Sequence, residues 1–542
     1  MCGIFSILNN FYHFDTVKKS FQKGSSRGPE LSTLNIDNDL NIVYGFHRLA
    51  INGVNNDSSN QPLKYKNCIL TCNGEIYNWK ELHSILDIPL ESSSDCEIII
   101  HLYKKYGIEY TLQLLDGVFA FMLIDLEKKD CFIARDCFGI RPLFTFKSNN
   151  SFSFSSISKC FTDFNTYNHG IIEQFKPGTY SKYHFDNTWK CQIENKIFIK
   201  QNILSNDITE EESIKLIRTS LIQAVKKRVD NTDRPVCCLL SGGLDSSLIT
   251  AIVKQKLGVN NTLHTWSIGF EGSQDLMYAQ KVADYLHTIH HPIVLTEDEF
   301  LKAIPEVIEA VESYDTTTIR ASVGNWLICK YIKEQSNAKV VFNGDGSDEV
   351  SGGYLYFHYA ENCIDFDNEC KRLLDDIHFF DVLRSDRSIS SHGLEPRTPF
   401  LDKTFVQNYL SIPAKIRFDA HKKCEKYLIR TAFKGFLPED VLFRTKEAFS
   451  DGVSSNKKSW FQVIQDYLKI NYTPKFDDNY YTCLVNPPKT LEQKYYRDIF
   501  EDKFPINFSN TIPYFWLPKF VDATDASART LSVYKQQKNY NI

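Results

Sequence analysis

The sequence predicts an α/β protein whose second half is built on a doubly wound parallel sheet, and three observations predict it. The chain has 542 residues, too many for one core at about 150 residues per domain. Strand-type and helix-type runs alternate from Val236 to Val311, which argues for parallel strands with helices on both faces and a ligand at the strand C-termini. At the first of those strand ends stands Leu239-Leu240-Ser241-Gly242-Gly243-Leu244-Asp245-Ser246-Ser247, a glycine-rich turn leading into a helix.

In chain order, a strand is expected over Cys68 to Cys72, with Asn73-Gly74-Glu75 following it, and Gly45 to Ala50 places Arg48 at the end of another strand pattern. Ser94-Asp95-Cys96-Glu97 opens a helix with Ile98, Ile99, Leu102 and Tyr103 on its apolar face, so Asp95 falls at or near an N-cap. After Pro177-Gly178 the composition turns polar, and a domain boundary is expected between about 185 and 208, giving units 2–187 and 205–525. Thr209-Glu210-Glu211-Glu212 reads as a capping box for a helix to about Val229, with Ile214, Ile217, Leu221 and Val225 on one face. Strands over Val236–Leu240, Leu263–Ile268 and His290–Leu295 alternate with helices over Ser247–Val253, Gln274–Leu286 and Glu297–Val311. Thr316 to Ser322 puts Arg320 near a helix start, and Val340 to Glu349 is a strand running into an acidic, glycine-rich loop.

Composition narrows the function. A net charge of −5 offers no basic field for nucleic acid or an anionic membrane. Fifteen scattered cysteines without a C-x-x-C pair read as reduced thiols in a reducing compartment, with neither zinc nor disulfides. No apolar run approaches the roughly 18 residues of a membrane span, and a cytoplasmic protein is expected.

The loop from Ser241 to Ser247 carries two glycines, three serine hydroxyls and a helix N-terminus, a combination suited to an anion. Asp245 beside a phosphate calls for a bridging cation, so Mg²⁺ is expected. The spacing is not G-x-x-x-x-G-K-[ST]. It resembles instead the pyrophosphate loop of enzymes that adenylate a substrate with ATP; the plain alternative is an ordinary strand-to-helix turn.

Cys2, Arg48, Asn73-Gly74-Glu75, Asp95 and Arg135 to Leu143 together resemble the glutaminase domain of class II glutamine amidotransferases. The resemblance implies an N-terminal-nucleophile α/β/β/α sandwich in which Cys2, freed by loss of Met1, attacks the glutamine amide. It further implies that Asn73 and the Gly74 N–H form an oxyanion hole, that Arg48 holds the substrate carboxylate and Asp95 its amine. Leu49, Ala50, Ile51, Asn52 and Glu75 would complete the pocket. Taken singly, Asn73-Gly74 could be a hairpin turn and Arg48 a surface ion pair. Glu30 stands where many members carry Asp and receives no chemistry.

The second part resembles asparagine synthetases of the eukaryotic type, through the pyrophosphate loop, Tyr314-Asp315, Gly346-Ser347-Asp348-Glu349, Pro399 to Asp402, Lys446 to Gly452 and Ala523-Thr524-Asp525. That implies activation of aspartate as β-aspartyl-AMP and its displacement by ammonia. Leu239, Ser241, Gly242, Gly243, Asp245, Ser246, Ile268, Asn343 and Gly344 would bind ATP, Asp245 and Asp348 would hold Mg²⁺, and Arg320 and Lys446 would neutralise phosphate charge. The substrates are aspartate, glutamine and ATP; a homodimer is a family expectation, and an apolar channel between the domains is expected because the two sites handle one ammonia in sequence. Asp345 stands where the family usually has Glu, and Asn343 where it has Ser. Restoring the methylene, Asp345→Glu, is therefore expected at this stage to maintain or raise synthesis. A synthetase acting on another carboxylate and a catalytically silent homologue are the alternatives.

Overall fold

The computed structural model describes residues 1–164, 170–199, 204–258, 260–444, 452–454, 458–527 and 531–532. Its first half is two antiparallel six-stranded sheets packed face to face. In one, Gly3–Leu8 lies between Ser151–Ser155 and Ile42–Arg48; in the other, Cys68–Ile76 lies between Leu63–Tyr65 and Gly117–Asp125. Period-two alternation sends successive side chains to opposite faces. Ile4 and Leu8 accordingly pack with Met122, Ile124 and Ile133 of the second sheet, while Phe5 and Ile7 face outward with Val17 and Phe21 of the helix Phe14–Gln22. The far face of the second sheet, through Leu70, Cys72, Phe121 and Leu123, is covered by Ile98, Ile99 and Leu102 of the helix Ile98–Leu114. These are the four layers of the expected sandwich. The strand Thr188–Ile197 pairs with Thr179–Asp186, so the first unit's sheet continues ten residues past 187, within the zone expected for the boundary.

The helix Glu210–Val229 starts at the expected capping box, with Thr209 and Glu212 bonding reciprocally. The helices Gln274–Leu286 and Glu297–Val311 have the expected bounds. The five-stranded sheet is parallel throughout, in the order Ile289–Val294, His264–Gly269, Val236–Leu239, Val340–Phe342, Glu395–Arg397. Numbered along the chain this is 3-2-1-4-5, so connections leave the first and fourth strands in opposite directions, and the crevice outside their C-terminal ends is where such sheets bind ligands. The loops after Leu239 and after Phe342, the two richest in chemistry in the sequence, flank that point. The region beyond Ser347 is mainly helical. Among the described residues no helix is long and apolar enough to cross a membrane.

Candidate functional site

The antiparallel pairing of Gly3 with His47 brings Cys2 and Arg48 to the same end of two neighbouring strands. The Cys2 thiol donates to the Leu49 carbonyl at 3.5 Å. Arg48 donates to Asn60 Oδ1 at 2.7 Å, to the Gly53 carbonyl at 2.9 Å and to the Asn52 carbonyl at 3.3 Å; it is not a surface ion pair. Asn73 and Gly74 lie inside the strand Cys68–Ile76, opposite Ala120 and Phe119, which removes the hairpin-turn alternative. The Asn73 side chain is wholly buried, and neither its Nδ2 nor its Oδ1 has a hydrogen-bond partner among the described residues. Leaving a buried amide without partners costs about 1–3 kcal/mol.

Asp95 is the first residue of a 3₁₀ turn capped by Ser94. Its carboxylate accepts from the Ile76 N–H at 2.6 Å and from Asn231 Nδ2 at 3.4 Å. Glu75 Oε2 accepts from Asn52 and Asn231, both at 2.8 Å, and lies 3.2 Å from Arg397 Nη2. Burial holds the Asp95 carboxyl above its usual range and the Glu75 carboxyl well above it, the latter reinforced by the Asp95 charge. Leu49, Ala50 and Ile51 are buried; the Ala50 carbonyl accepts from Arg234 Nε at 2.7 Å and the Ile51 carbonyl from the Asp233 N–H at 2.9 Å. Glu30, expected to carry no chemistry, accepts from the Ala50 N–H at 2.6 Å and pairs with Arg234. Much of this pocket's wall is thus supplied by residues 231–234 and 397. With Met1 in place, burial pushes the Cys2 thiol up to about 11 and the Met1 amine down to about 5.

The second site lies at the switch point of the parallel sheet. Gly242 has φ +71°, and a Cβ there would stand 2.5 Å from the Tyr278–Ala279 backbone; a Cβ on Gly344 would stand 2.7 Å from the Asp245 Cβ and 2.9 Å from the Ser246 nitrogen. Both close approaches require glycine, and the second locks the two loops together. The Ser241 and Ser246 hydroxyls are 3.0 Å apart, and the Ser241 N–H donates to Ser246 Oγ at 3.1 Å. The helix Leu244–Leu257 begins at Gly243 without a side-chain cap, leaving its first N–H groups for an anion. The cleft is apolar at Leu239, Trp266 and Ile268, and charged at Asp245, Asp345, Asp348, Arg384 and Lys426.

Asp245 and Asp348 converge on one cation. The Lys426 ammonium lies 2.6 Å from Asp245 Oδ2 and 2.7 Å from Asp348 Oδ1, with its side chain 1% exposed. Ser347 Oγ donates to the other Asp245 oxygen at 2.8 Å. Asp245 and Asp348 are the two carboxylates here that could hold a divalent cation; in the structure they share the Lys426 ammonium. Nearby, Tyr354 OH lies 2.5 Å from Glu349 Oε1 and 2.8 Å from Asp381 Oδ2. Burial and the Asp381 charge hold Glu349 well above its usual range. Asp381, which burial would raise, is held below its usual range by Arg384 and by the hydrogen bond from Glu349.

One expected phosphate partner stands elsewhere. Arg320 does not line the cleft: Glu492 takes its Nε and Nη2 at 2.8 and 2.7 Å, and Asp525 takes Nη1 and Nη2 at 2.9 and 2.7 Å. A guanidinium with two bidentate carboxylates is already neutralised. Lys446 lies outside the described residues. Asn231, Arg384, Arg397 and Lys426 join the sites without having been singled out in the sequence; Asn231 is 156 positions from Glu75, Lys426 is 181 from Asp245 and Arg384 is 39 from Asp345, and no local pattern marks any of them.

One strand touches both sites. Glu395–Arg397 carries Arg397, whose guanidinium pairs with Glu75, while its carbonyl accepts from the Asn343 N–H at 3.1 Å. The family model described as asparagine synthase matches residues 216–369 and 364–501, and that described as a glutamine amidotransferase domain matches residues 1–193. Relatives named "Asparagine synthetase [glutamine-hydrolyzing]" from Gallus gallus and Homo sapiens are 38% and 39% identical over 567 and 570 residues, covering 99% of each chain; that from Mus musculus is 39% identical over 575 residues, again covering 99% of both. By similarity along its whole length, the chain belongs to the glutamine-hydrolysing asparagine synthetase family.

Proposed function

We propose that the two sites run one reaction in sequence: ATP, L-aspartate, L-glutamine and water give AMP, diphosphate, L-asparagine and L-glutamate. The observation that carries the reading is the shared strand, in which Arg397 pairs with the Glu75 carboxylate on one side and holds the Asn343 backbone on the other. In the first pocket, after loss of Met1, the Cys2 sulfur bonds to the glutamine amide carbon and its proton passes to the free Cys2 amine. Ammonia then leaves, and water cleaves the thioester to glutamate. The scheme needs Met1 removed; with Met1 present its side chain is wholly buried and its amine donates to the Leu394 carbonyl at 3.1 Å. Arg48 would hold the glutamine carboxylate, and Asp95 the ammonium. Leu49, Ala50, Ile51, Asn52 and Glu75 would line the pocket.

Asn73 Nδ2 and the Gly74 N–H would stabilise the oxyanion. Asn73→Ala is therefore expected to lower glutaminase kcat by about 10²–10³-fold while ammonia-dependent synthesis holds. Equal loss of both activities, measured as glutamate and asparagine release, would count against the assignment.

In the cleft, an aspartate β-carboxylate oxygen bonds to the ATP α-phosphorus and diphosphate departs. Ammonia next bonds to the β-carbonyl carbon, AMP leaves as the acyl C–O bond breaks, and the surplus proton passes to a carboxylate, for which Asp345 is the candidate. Leu239 and Ile268 would contact adenine. Ser241, Gly242, Gly243, Ser246, Gly344 and the backbone of Asn343 would surround the phosphates, the Asn343 side chain being held by Asp345 and Ser385. Mg²⁺ held by Asp245 and Asp348 would supply neutralising charge to the diphosphate. Chelation of divalent cations by EDTA is accordingly expected to stop aspartate-dependent diphosphate release and leave glutaminase intact; release that persists at full rate would remove the metal from the scheme. We place the unit boundary between about 185 and 208, with the strand Thr188–Ile197 on the side of the first unit. The test of the substrate is diphosphate release with aspartate against other carboxylic acids. No aspartate-dependent signal would refute the reading.

A further inference from the structure

The Asn343 side chain works as a bracket. Its residue directly follows the strand Val340–Phe342, and it is 4% exposed. The amide Nδ2 donates in two directions, to Asp345 Oδ2 at 2.7 Å and to Ser385 Oγ at 2.8 Å, while Oδ1 accepts from the Asp345 N–H at 3.3 Å. Asp345 Oδ1 is taken from the other side by Arg384 Nη2 at 3.1 Å, whose Nε is held by Asp381 Oδ1 at 2.5 Å. Both oxygens of Asp345 are therefore pinned, one by each neighbour, at the wall of the cleft. A serine at 343 would reach neither Asp345 nor Ser385 in the same way, and a longer acid at 345 would drive its carboxylate into the amide.

We propose that Asn343 is a positioning residue that sets how far the Asp345 carboxylate reaches into the synthetase cleft. The two side chains are matched in length, so that neither can change alone. This rests on the reading of the cleft as the place where ammonia meets activated aspartate. It also reverses the expectation drawn from the sequence: with Asn343 in place, Asp345→Glu is detrimental, because the missing methylene is filled by the bracket and not by empty space.

The test compares Asn343→Ser, Asp345→Glu and the double variant as full chains, with ammonium chloride as nitrogen donor. Three quantities are read: kcat for asparagine, KM for aspartate, and aspartate-dependent ATP–diphosphate exchange. A misplacement of about 1 Å in a reacting group costs on the order of 10²-fold, so each single variant is expected to lose about 10–100-fold in kcat with exchange largely retained. The double variant is expected to recover about tenfold or more over Asp345→Glu, the mark of coupled neighbours. A wild-type rate in Asn343→Ser, or a double variant no better than the poorer single, would overturn the proposal. A parallel fall of exchange in all three would assign Asn343 to folding and overturn it too. Failure of the underlying reading is separate, since it shows in the unmodified protein as absence of aspartate-dependent exchange.

Discussion

Cys2→Ala is expected to abolish glutamine-dependent asparagine formation while ammonia-dependent formation continues at close to its original rate. The thiol's hydrogen bond to the Leu49 carbonyl is long, at 3.5 Å, so removing one sulfur disturbs little around it. The chemistry has no substitute. Loss of the nucleophile in a hydrolase that works as a unit costs about 10⁴-fold or more in kcat. The cleft residues Asp345, in the loop after Val340–Phe342, and Asp245 and Asp348, in the first turns of the helices Leu244–Leu257 and Ser347–Ser351, take no support from Cys2. Paired assays with glutamine and with ammonium chloride check this; an equal loss with both donors would mean that the sites are not chemically separable.

Asp245→Asn is the mirror case. The substitution preserves volume and keeps an acceptor for Ser347 Oγ, which donates to Asp245 at 2.8 Å. It deletes one of the two negative charges that converge on Lys426, and with it half of the site at which Mg²⁺ would neutralise the diphosphate. Losing a group that stabilises developing charge costs about 10²–10³-fold; where that group also holds the cation, synthesis with either nitrogen donor should fall at least that far. Glutamate release from glutamine should persist. Retained aspartate-dependent ATP turnover would refute the role of Asp245.

Both expectations rest on residues that the sequence made legible, and the reason is local. The pyrophosphate loop, the capping box at Thr209 and Glu212, and the helices Gln274–Leu286 and Glu297–Val311 are each specified within about fifteen residues. Asn73-Gly74-Glu75 is visible in the sequence as a motif, and the local pattern ends its strand at Cys72. The structure continues the strand to Ile76 because Gly117–Asp125 supplies a partner for every residue of it, and pairing across forty residues leaves no local mark. Arg320 shows the same limit. Its position at a helix start was readable, but its partners Glu492 and Asp525 are 172 and 205 residues away, and they turn it from the phosphates into an ion-pair cluster. The polar contacts joining the halves, Asn231 with Glu75 and Asp95 and Arg397 with Glu75, depend on domain packing alone. Asp345 was noticed as one methylene short, yet only the placement of Asn343 and Arg384 shows what occupies the difference.

If the two sites run one reaction in sequence, nitrogen released at Cys2 is consumed at the Asp345 cleft without first joining the solvent. Glutamine labelled with ¹⁵N in its amide, supplied with aspartate, ATP and an excess of unlabelled ammonium below its own saturating level, tests it in one reaction. Mass analysis of the asparagine formed should show ¹⁵N well above its share of the free ammonium pool, with glutamate, AMP and diphosphate appearing in step with asparagine. Asparagine labelled only to the level of the pool, or AMP formed without aspartate, would contradict the account.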